Sequence, residues 1–507
     1  DLAALRDASD AGRPAHYDVV VVGAGVTGCG VALDAVTRGL TVLLVDAHDL
    51  AFGTSRWSSK LAHGGLRYLA TGDVSVATRS ARERGILMER TAPHLTRALP
   101  QVVPVQDRYS VLNRVLPRVG FLAGDLLRVA ARTSSRTLPR SRTVTAATVR
   151  ALCPAVETSD LRLGYVNYDG QLVDDARLVT CLARTAAGYG ATVITHCRAA
   201  SVSGREVVLE DTLAEGDDAA AAPTAATPTT VTAGAVVNAT GVWAGDMDPA
   251  VTVRPSRGTH LVVDAGSVGN PTGALTVPVP GATNRFCFIL PEQLGRCYIG
   301  LTDEDQPGAI PDEPEVPDSD VTWILDVVNQ ALATRLTSDD VIGAYAGLRP
   351  LITLDGAGAG ASTADLSREH VILTGDDGLV TVTGGKLTEY RLMAEQTVDA
   401  VLREDRRDDR EVGGEVPRGG RPDVGLDDVV GAVIRGVVRS LVSALVRTLV
   451  DRRGGEHGVG LPAAEVVHED LRPTGELRRR PRVEVPQRQV AASVRQGAVG
   501  VAGPRAG

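Results

Sequence analysis

The sequence predicts an α/β protein built around a Rossmann-like dinucleotide-binding domain, and three observations carry that expectation. Residues 17 to 50, YDVVVVGAGVTGCGVALDAVTRGLTVLLVDAHDL, read as strand, Gly-rich turn, helix and strand. Gly23, Gly25 and Gly28 stand in GxGxxG spacing directly after the valine run 19 to 22. Asp46 closes the next apolar run. Unbroken apolar runs mark strands buried on both faces of a parallel sheet. Glycines at this spacing permit a tight turn and the approach of a pyrophosphate to a helix N-terminus, and the acid is placed to accept from ribose hydroxyls.

Downstream, DDARLVTCLARTAAGYGATVITHCRA (174 to 199) predicts a second helix–strand unit. Residues 212 to 233 are low in complexity and read as the flexible tip of a hairpin. AVVNATGVWAG (235 to 245) predicts a buried strand that ends in a turn at Gly241, where a strand meets a dinucleotide. Residues 250 to 310 are strand-like with Gly and Pro punctuation, suited to an antiparallel sheet over a ligand. GLVTVTGGKLTEYRLMAEQTVDAVL (378 to 402) reads as a strand, a Gly-Gly turn at Gly385 and a long helix. The nucleotide domain is therefore expected to be discontinuous, over 17–96, 160–249 and 340–402, with a substrate domain at 97–159 and 250–339.

At 507 residues the chain has room for about three domains on a prior of roughly 150 residues each. Cys29, Cys153, Cys181, Cys197, Cys287 and Cys297 form no CxxC pair, and no secretory signal precedes Tyr17. Neither a zinc site nor a disulfide framework is expected, and a reduced cytoplasmic location is. The net charge of −9 combines +3 over 403–507 with −12 before it, and an acidic body argues against nucleic acid as a partner. No apolar run reaches the roughly 18 uncharged residues of a membrane span. Residues 428 to 450, interrupted by Arg435, Arg439 and Arg447, predict an amphipathic helix that packs in a small helical domain or lies on a membrane surface. No aromatic residue follows Tyr390, and the Arg-, Gly- and Pro-rich end of the 403–507 region is expected to be weakly ordered.

Only two lysines, Lys60 and Lys386, occur among the 53 basic residues. A surface needs positive charge alone, which Arg supplies equally well. Lys differs where a site needs a compact ammonium instead of a planar fork. Both lysines fall in Gly-containing motif stretches, SSKLAHGGLRYL (58 to 69) and GGKLTEYRLMAE (384 to 395).

Those two stretches, with APHL (92 to 95), VDDARLV (173 to 179), NATGVWA (238 to 244), RPSRGTHLVV (254 to 263), IGLTDED (299 to 305), AGLRPL (346 to 351) and SREH (367 to 370), occur in one order. Together they make residues 17 to 402 resemble the FAD-dependent, aerobic, quinone-linked glycerol-3-phosphate dehydrogenase family. The resemblance implies an FAD-binding domain of the glutathione-reductase and amino-acid-oxidase type with an inserted antiparallel-sheet substrate domain. It also implies a C-terminal helical region, which is divergent here. The implied reaction oxidises sn-glycerol 3-phosphate to dihydroxyacetone phosphate by hydride transfer to FAD and passes the electrons to membrane quinone. An oxidase that uses O2 and an inactive flavin-binding homologue remain open alternatives. The implied setting is a homodimer held peripherally on the inner face of the cell membrane.

By the same resemblance Arg67, Arg349 and Arg368 supply forks for a phosphate dianion, with Tyr68 as a neutral donor and Lys386 as a further substrate contact. Lys386, His260 and Arg349 are the expected catalytic residues, His260 as acceptor of the C2 hydroxyl proton. Thr54, Ser55, Ser58, Ser59, Lys60 and His63 are expected to contact the flavin and its phosphates, beside Gly23, Gly25, Gly28, Asp46, Gly241 and Gly385. No metal is implied.

Overall fold

Buried valines set the first layer. Val19 to Val22 and Val42 to Val45 are buried throughout, so neither strand has a solvent face and both sit inside a sheet. In this computed structural model, strand Ala15–Val22 pairs in parallel with Val42–Val45 on one side and with Thr229–Asn238 on the other. The structure describes Leu5 and residues 14–66, 68, 73–108, 111–215, 228–282, 285–353 and 369–408. These all fall within one compact unit, Asp1–Thr448.

The sheet continues to Thr192–Ile194 at one end and, past Val380–Gly384, to His370–Thr374 at the other. Cys197–Val202 and Glu206–Asp211 form a hairpin paired antiparallel to Thr229–Asn238. Thr229 pairs with Leu209, so residues 229–233, read from sequence as the end of a flexible tip, belong to a strand, and residues 216–227 of that tip lie outside the described residues. Helices Val26–Thr37, Asp175–Gly188 and Tyr390–Asp408 cover one face with a shared core that includes Val31, Val179 and Val398.

The second layer is a ten-stranded sheet whose centre runs Thr252–Asp264, Arg296–Gly300, Phe286–Pro291, Ala274–Pro278, Thr96–Gln106 and Leu161–Leu172. One face is closed by helix Asp318–Val328, through Ile324, Leu325 and Val328 against Leu261, Leu275, Ile289 and Ile299. The expected antiparallel pairing holds except between Ala274–Pro278 and Thr96–Gln106, which run parallel. This is the α/β fold anticipated from the glycine motif, a parallel layer of the dinucleotide-binding type beside a second sheet.

Some assignments move. Strands Leu161–Leu172 and Val341–Thr353 pair in the second sheet, although their segments were grouped with the nucleotide domain from sequence. Alternation identifies a strand without identifying its neighbour. Helix Val111–Ala130 lies within the 97–159 segment assigned to the substrate domain. Of the 403–507 region, only the end of helix Tyr390–Asp408 lies among the described residues, so the helix expected at 428 to 450 falls outside them. Among the described residues no helix is long and apolar enough to cross a membrane.

Candidate functional site

A cavity of about 1580 Å³ lies along the C-terminal ends of the first-layer strands and reaches the second sheet. Its first wall is the glycine turn. Gly23 adopts a φ of +104°, and a Cβ there would stand 2.6 Å from the Ala239 carbonyl oxygen. A Cβ on Gly28 would meet the Gly23 carbonyl oxygen at 1.8 Å. Gly28 therefore serves helix-to-turn packing, while Gly23 and Gly25 line the cavity. Gly25 caps helix Val26–Thr37, and a Cβ on it would approach only Ser55 Oγ, at 3.2 Å. The helix thus aims its N-terminal end at the cavity, with the Val26 N–H bonded to Ser55 Oγ, and leaves room for a pyrophosphate.

Asp46 lines the same wall. Its Oδ2 accepts from the Ala24 N–H at 2.6 Å and its Oδ1 from the His48 N–H at 2.8 Å. Burial raises its pKa despite these donors. Each oxygen keeps a second lone pair for a ribose hydroxyl.

The stretch 54 to 60 forms the next wall, and its polar groups are largely committed to protein partners. Thr54 Oγ1 donates to the Leu348 carbonyl at 2.6 Å, and Ser55 Oγ accepts from the Val26 N–H at 2.9 Å. Ser58 donates its hydroxyl (2.6 Å) and its N–H (3.0 Å) to Asp175 Oδ2. Ser59 Oγ lies 2.8 Å from His260 Nε2. All four line the cavity, but Lys60 does not. Lys60 is turned inward by its left-handed backbone (φ 55°) and donates to Asp175 Oδ1 and to the Arg56 carbonyl, each at 2.6 Å. Its side chain is held in a buried ion pair with Asp175, away from the cavity wall.

His63 stands on the wall with Nδ1 3.7 Å from Asp169 Oδ2. Burial works against the charge on Asp169, but Arg84 at 2.7 Å and His63 outweigh it and hold the carboxyl below its ordinary value. Gly241 and Gly385, both with positive φ, line the far side after their strands.

The second sheet brings His260 and Arg349 to the cavity from adjacent strands. His260 is buried and its ring stacks on Tyr345 at 4.9 Å. Burial, then Arg349 and Lys60, push its pKa down to about 3, against an opposing effect of the Gly258 backbone. The ring is therefore neutral at neutral pH. Arg349 lies over Gly258, where a Cβ would collide with Nη2 at 2.3 Å. Its Nη1 reaches Asp303 Oδ1 at 3.1 Å and Ser256 Oγ at 3.2 Å.

Lys386 enters from the turn before helix Tyr390–Asp408, with Nζ 4.1 Å from the centre of the Tyr68 ring. Both residues line the cavity. Arg67 and Arg368 lie outside the described residues. The structure thus gathers the glycines, the short hydroxyls, His260, Arg349, Tyr68 and Lys386 around one space. Sequence reasoning missed Asp175, Asp303, Ser80 and Glu389, whose partners are remote in the chain except for Lys386, three residues before Glu389. The acid pair in VDDARLV was the one available sign of Asp175.

Residues 18–391 match the family described as FAD dependent oxidoreductase. Glycerol-3-phosphate dehydrogenase 1 of Mycobacterium tuberculosis H37Rv is 55% identical over 402 residues, which are 79% of this chain and 75% of that protein. Glycerol-3-phosphate dehydrogenase 2 of the same strain is 37% identical over 394 residues, 76% of this chain and 63% of that protein. Among solved structures, the glycerol-3-phosphate dehydrogenase of Bacillus halodurans complexed with FAD is similar with a TM-score of 0.56 at 29% identity, over 77% of this chain and 65% of that one. Glycine oxidase from Geobacillus kaustophilus, with a TM-score of 0.55 at 18% identity over 77% of this chain and 95% of that one, shares the fold.

Proposed function

Since this chain belongs to the FAD dependent oxidoreductase family and takes FAD as its cofactor, we propose that it oxidises sn-glycerol 3-phosphate to dihydroxyacetone phosphate and delivers the electrons to a membrane quinone. One observation carries the substrate reading: two cationic side chains, Arg349 and Lys386, and a neutral buried histidine, His260, line the same cavity as the Gly23–Gly25 turn. The identity to glycerol-3-phosphate dehydrogenase 1 supports it.

The Gly23–Gly25 turn, Asp46 and Gly241 would hold the cofactor, and Gly385 with the 54–59 stretch would border it. When bound, FAD supplies the hydride acceptor. Arg349 offers its fork to the phosphate dianion, sharing with Asp303 a guanidinium edge that Asp303 already orients. Lys386 adds a point charge that needs no fixed plane. His260 takes the C2 hydroxyl proton, with Ser59 Oγ hydrogen-bonded to its Nε2. A phosphate dianion against Arg349 cancels one of the charges that depress His260, so substrate binding raises the basicity of the ring that must accept the proton.

Peripheral attachment to the inner face of the membrane, through residues beyond 408, and a homodimeric state belong to the same proposal. Anaerobic mixing of FAD-loaded protein with glycerol 3-phosphate should bleach the flavin bands, and failure to bleach would refute the substrate reading. Stopped-flow reoxidation separates the acceptors: a short-chain quinone should restore the oxidised spectrum much faster than air-saturated buffer. Full-rate turnover in air without quinone would instead make the protein an oxidase.

A further inference from the structure

Lys386 Nζ donates to Ser80 Oγ at 2.6 Å and forms an ion pair with Glu389 Oε1 at 2.9 Å. Ser80 in turn donates its hydroxyl proton to Glu389 Oε1 at 2.5 Å, so the three groups close a ring. Ser80 and Glu389 are fully buried, whereas Lys386 borders the cavity. An ammonium carries three protons. One is donated to Ser80, the charge pairs with Glu389, and the Tyr68 ring lies 4.1 Å away, so the ammonium stands where an anion in the cavity can meet it.

A buried carboxylate is costly unless it is paired. Arg79 is the rival partner for Glu389, and the geometry decides against it. Arg79 Nε stands 3.5 Å from Glu389 Oε2 without hydrogen-bond geometry, and its Nη2 is drawn to Glu369 at 2.6 Å. The Ser80 hydroxyl hydrogen-bonds the Glu389 carboxylate, and the Lys386 ammonium pairs with it at 2.9 Å, closer than Arg79. One short turn sets the spacing, since the Glu389 N–H donates to the Lys386 carbonyl at 2.9 Å.

We propose that Glu389, acting with Ser80, is a positioning residue that holds the Lys386 ammonium in place and aims it into the cavity, where it meets the phosphate-bearing substrate. This rests on the substrate reading given above. Burial opposes the charge on Glu389, and Lys386, the Ser80 hydrogen bond and Arg79 outweigh burial, holding its carboxyl below the ordinary value.

Other ionisable groups around this pair are mostly bound elsewhere. On helix Val74–Ile86, Glu83 takes two hydrogen bonds from Arg391, at 2.7 and 2.8 Å. Across the turn, Asp169 is held by Arg84 and faces His63. His370, on the neighbouring strand, bonds Gln396, and the Tyr68 ring packs under the ammonium. Glu389 is thus the counter-charge of Lys386 among the described residues.

The chain's two lysines make the test direct, because [ε-13C]lysine in the FAD-loaded full chain gives two resonances. Lys386→Met assigns them. Glu389→Gln keeps size and removes charge, and should move the Lys386 resonance while leaving that of Lys60 in place, and raise KM for glycerol 3-phosphate about tenfold with a smaller fall in kcat. Ser80→Ala, which leaves the carboxylate in place, should change both by less and serves if the Gln variant does not fold. An unmoved Lys386 resonance overturns the proposal, as does a fall in kcat with KM unchanged. Wild-type protein that glycerol 3-phosphate fails to reduce refutes the substrate reading alone, since the lysine resonance needs no substrate.

Discussion

Lys60 Nζ donates to Asp175 Oδ1 at 2.6 Å, and the carboxylate also takes the Ser58 hydroxyl and N–H. One buried acid therefore fixes the stretch that walls the cofactor side of the cavity. Removing one partner of a buried pair strands the other charge, at a cost of about 3–5 kcal/mol. Asp175→Asn should lower the urea midpoint accordingly and release flavin more readily on dilution. Wild-type stability and flavin retention would show that the pair is dispensable.

Gly25 and Gly28 should separate cofactor binding from folding. A Cβ at 25 meets only Ser55 Oγ, at 3.2 Å, and a valine there projects where a phosphate must approach. Gly25→Val should give a folded protein without flavin. Gly28→Val drives a Cβ into the Gly23 carbonyl, 1.8 Å away, and should not fold. Full flavin occupancy in purified Gly25→Val would remove the pyrophosphate from this turn.

Lys386 occupies a narrow place between Ser80, Glu389 and the Tyr68 ring. A planar guanidinium is larger and cannot make the same two contacts from the same stem. Lys386→Arg should retain FAD yet lower kcat/KM about a hundredfold, nearly as far as Lys386→Met. A wild-type rate of anaerobic flavin reduction in the Arg variant would return the lysine to mere composition.

His260 carries an acid-stability signature. Its folded pKa of about 3 lies below its ordinary 6.5, so between these values the unfolded chain binds more protons. Its contribution is complete above about pH 6.5 and is lost as pH falls toward 3. Urea midpoints measured from pH 7.5 to 4 should fall less steeply in His260→Asn than in wild type. Parallel slopes would mean that His260 is protonated while folded.

Quinone delivery requires docking at a bilayer, and the +3 charge of residues 403–507 offers attraction to anionic lipid. Removing residues 409–507 should abolish salt-sensitive sedimentation with anionic liposomes. Undiminished sedimentation of the truncated, folded protein would move the contact to the described body.

The glycine turn and the parallel strands were legible because they depend on neighbours within a few dozen residues. Gly23, Gly25 and Asp46 belong to one strand–turn–helix–strand unit whose spacing dictates its geometry. The motif stretches likewise pointed to the region of His260, Arg349 and Lys386, which the fold then draws to one cavity. Lys60 shows the limit. Its motif suggested a ligand contact, but a left-handed residue in the loop turns its side chain toward Asp175, 115 positions away.

By itself, then, the sequence determined the dinucleotide layer, the family resemblance and the odd economy of two lysines, since each is written in local order and composition. The tertiary structure decided which sheet receives strands Leu161–Leu172 and Val341–Thr353, and which acid answers which base. Glu389 lies three residues from Lys386, yet its burial and its bond to Ser80 depend on helix Val74–Ile86 packing across the turn. Burial and long-range pairing set the energy of a charge, and neither is a property of the local chain.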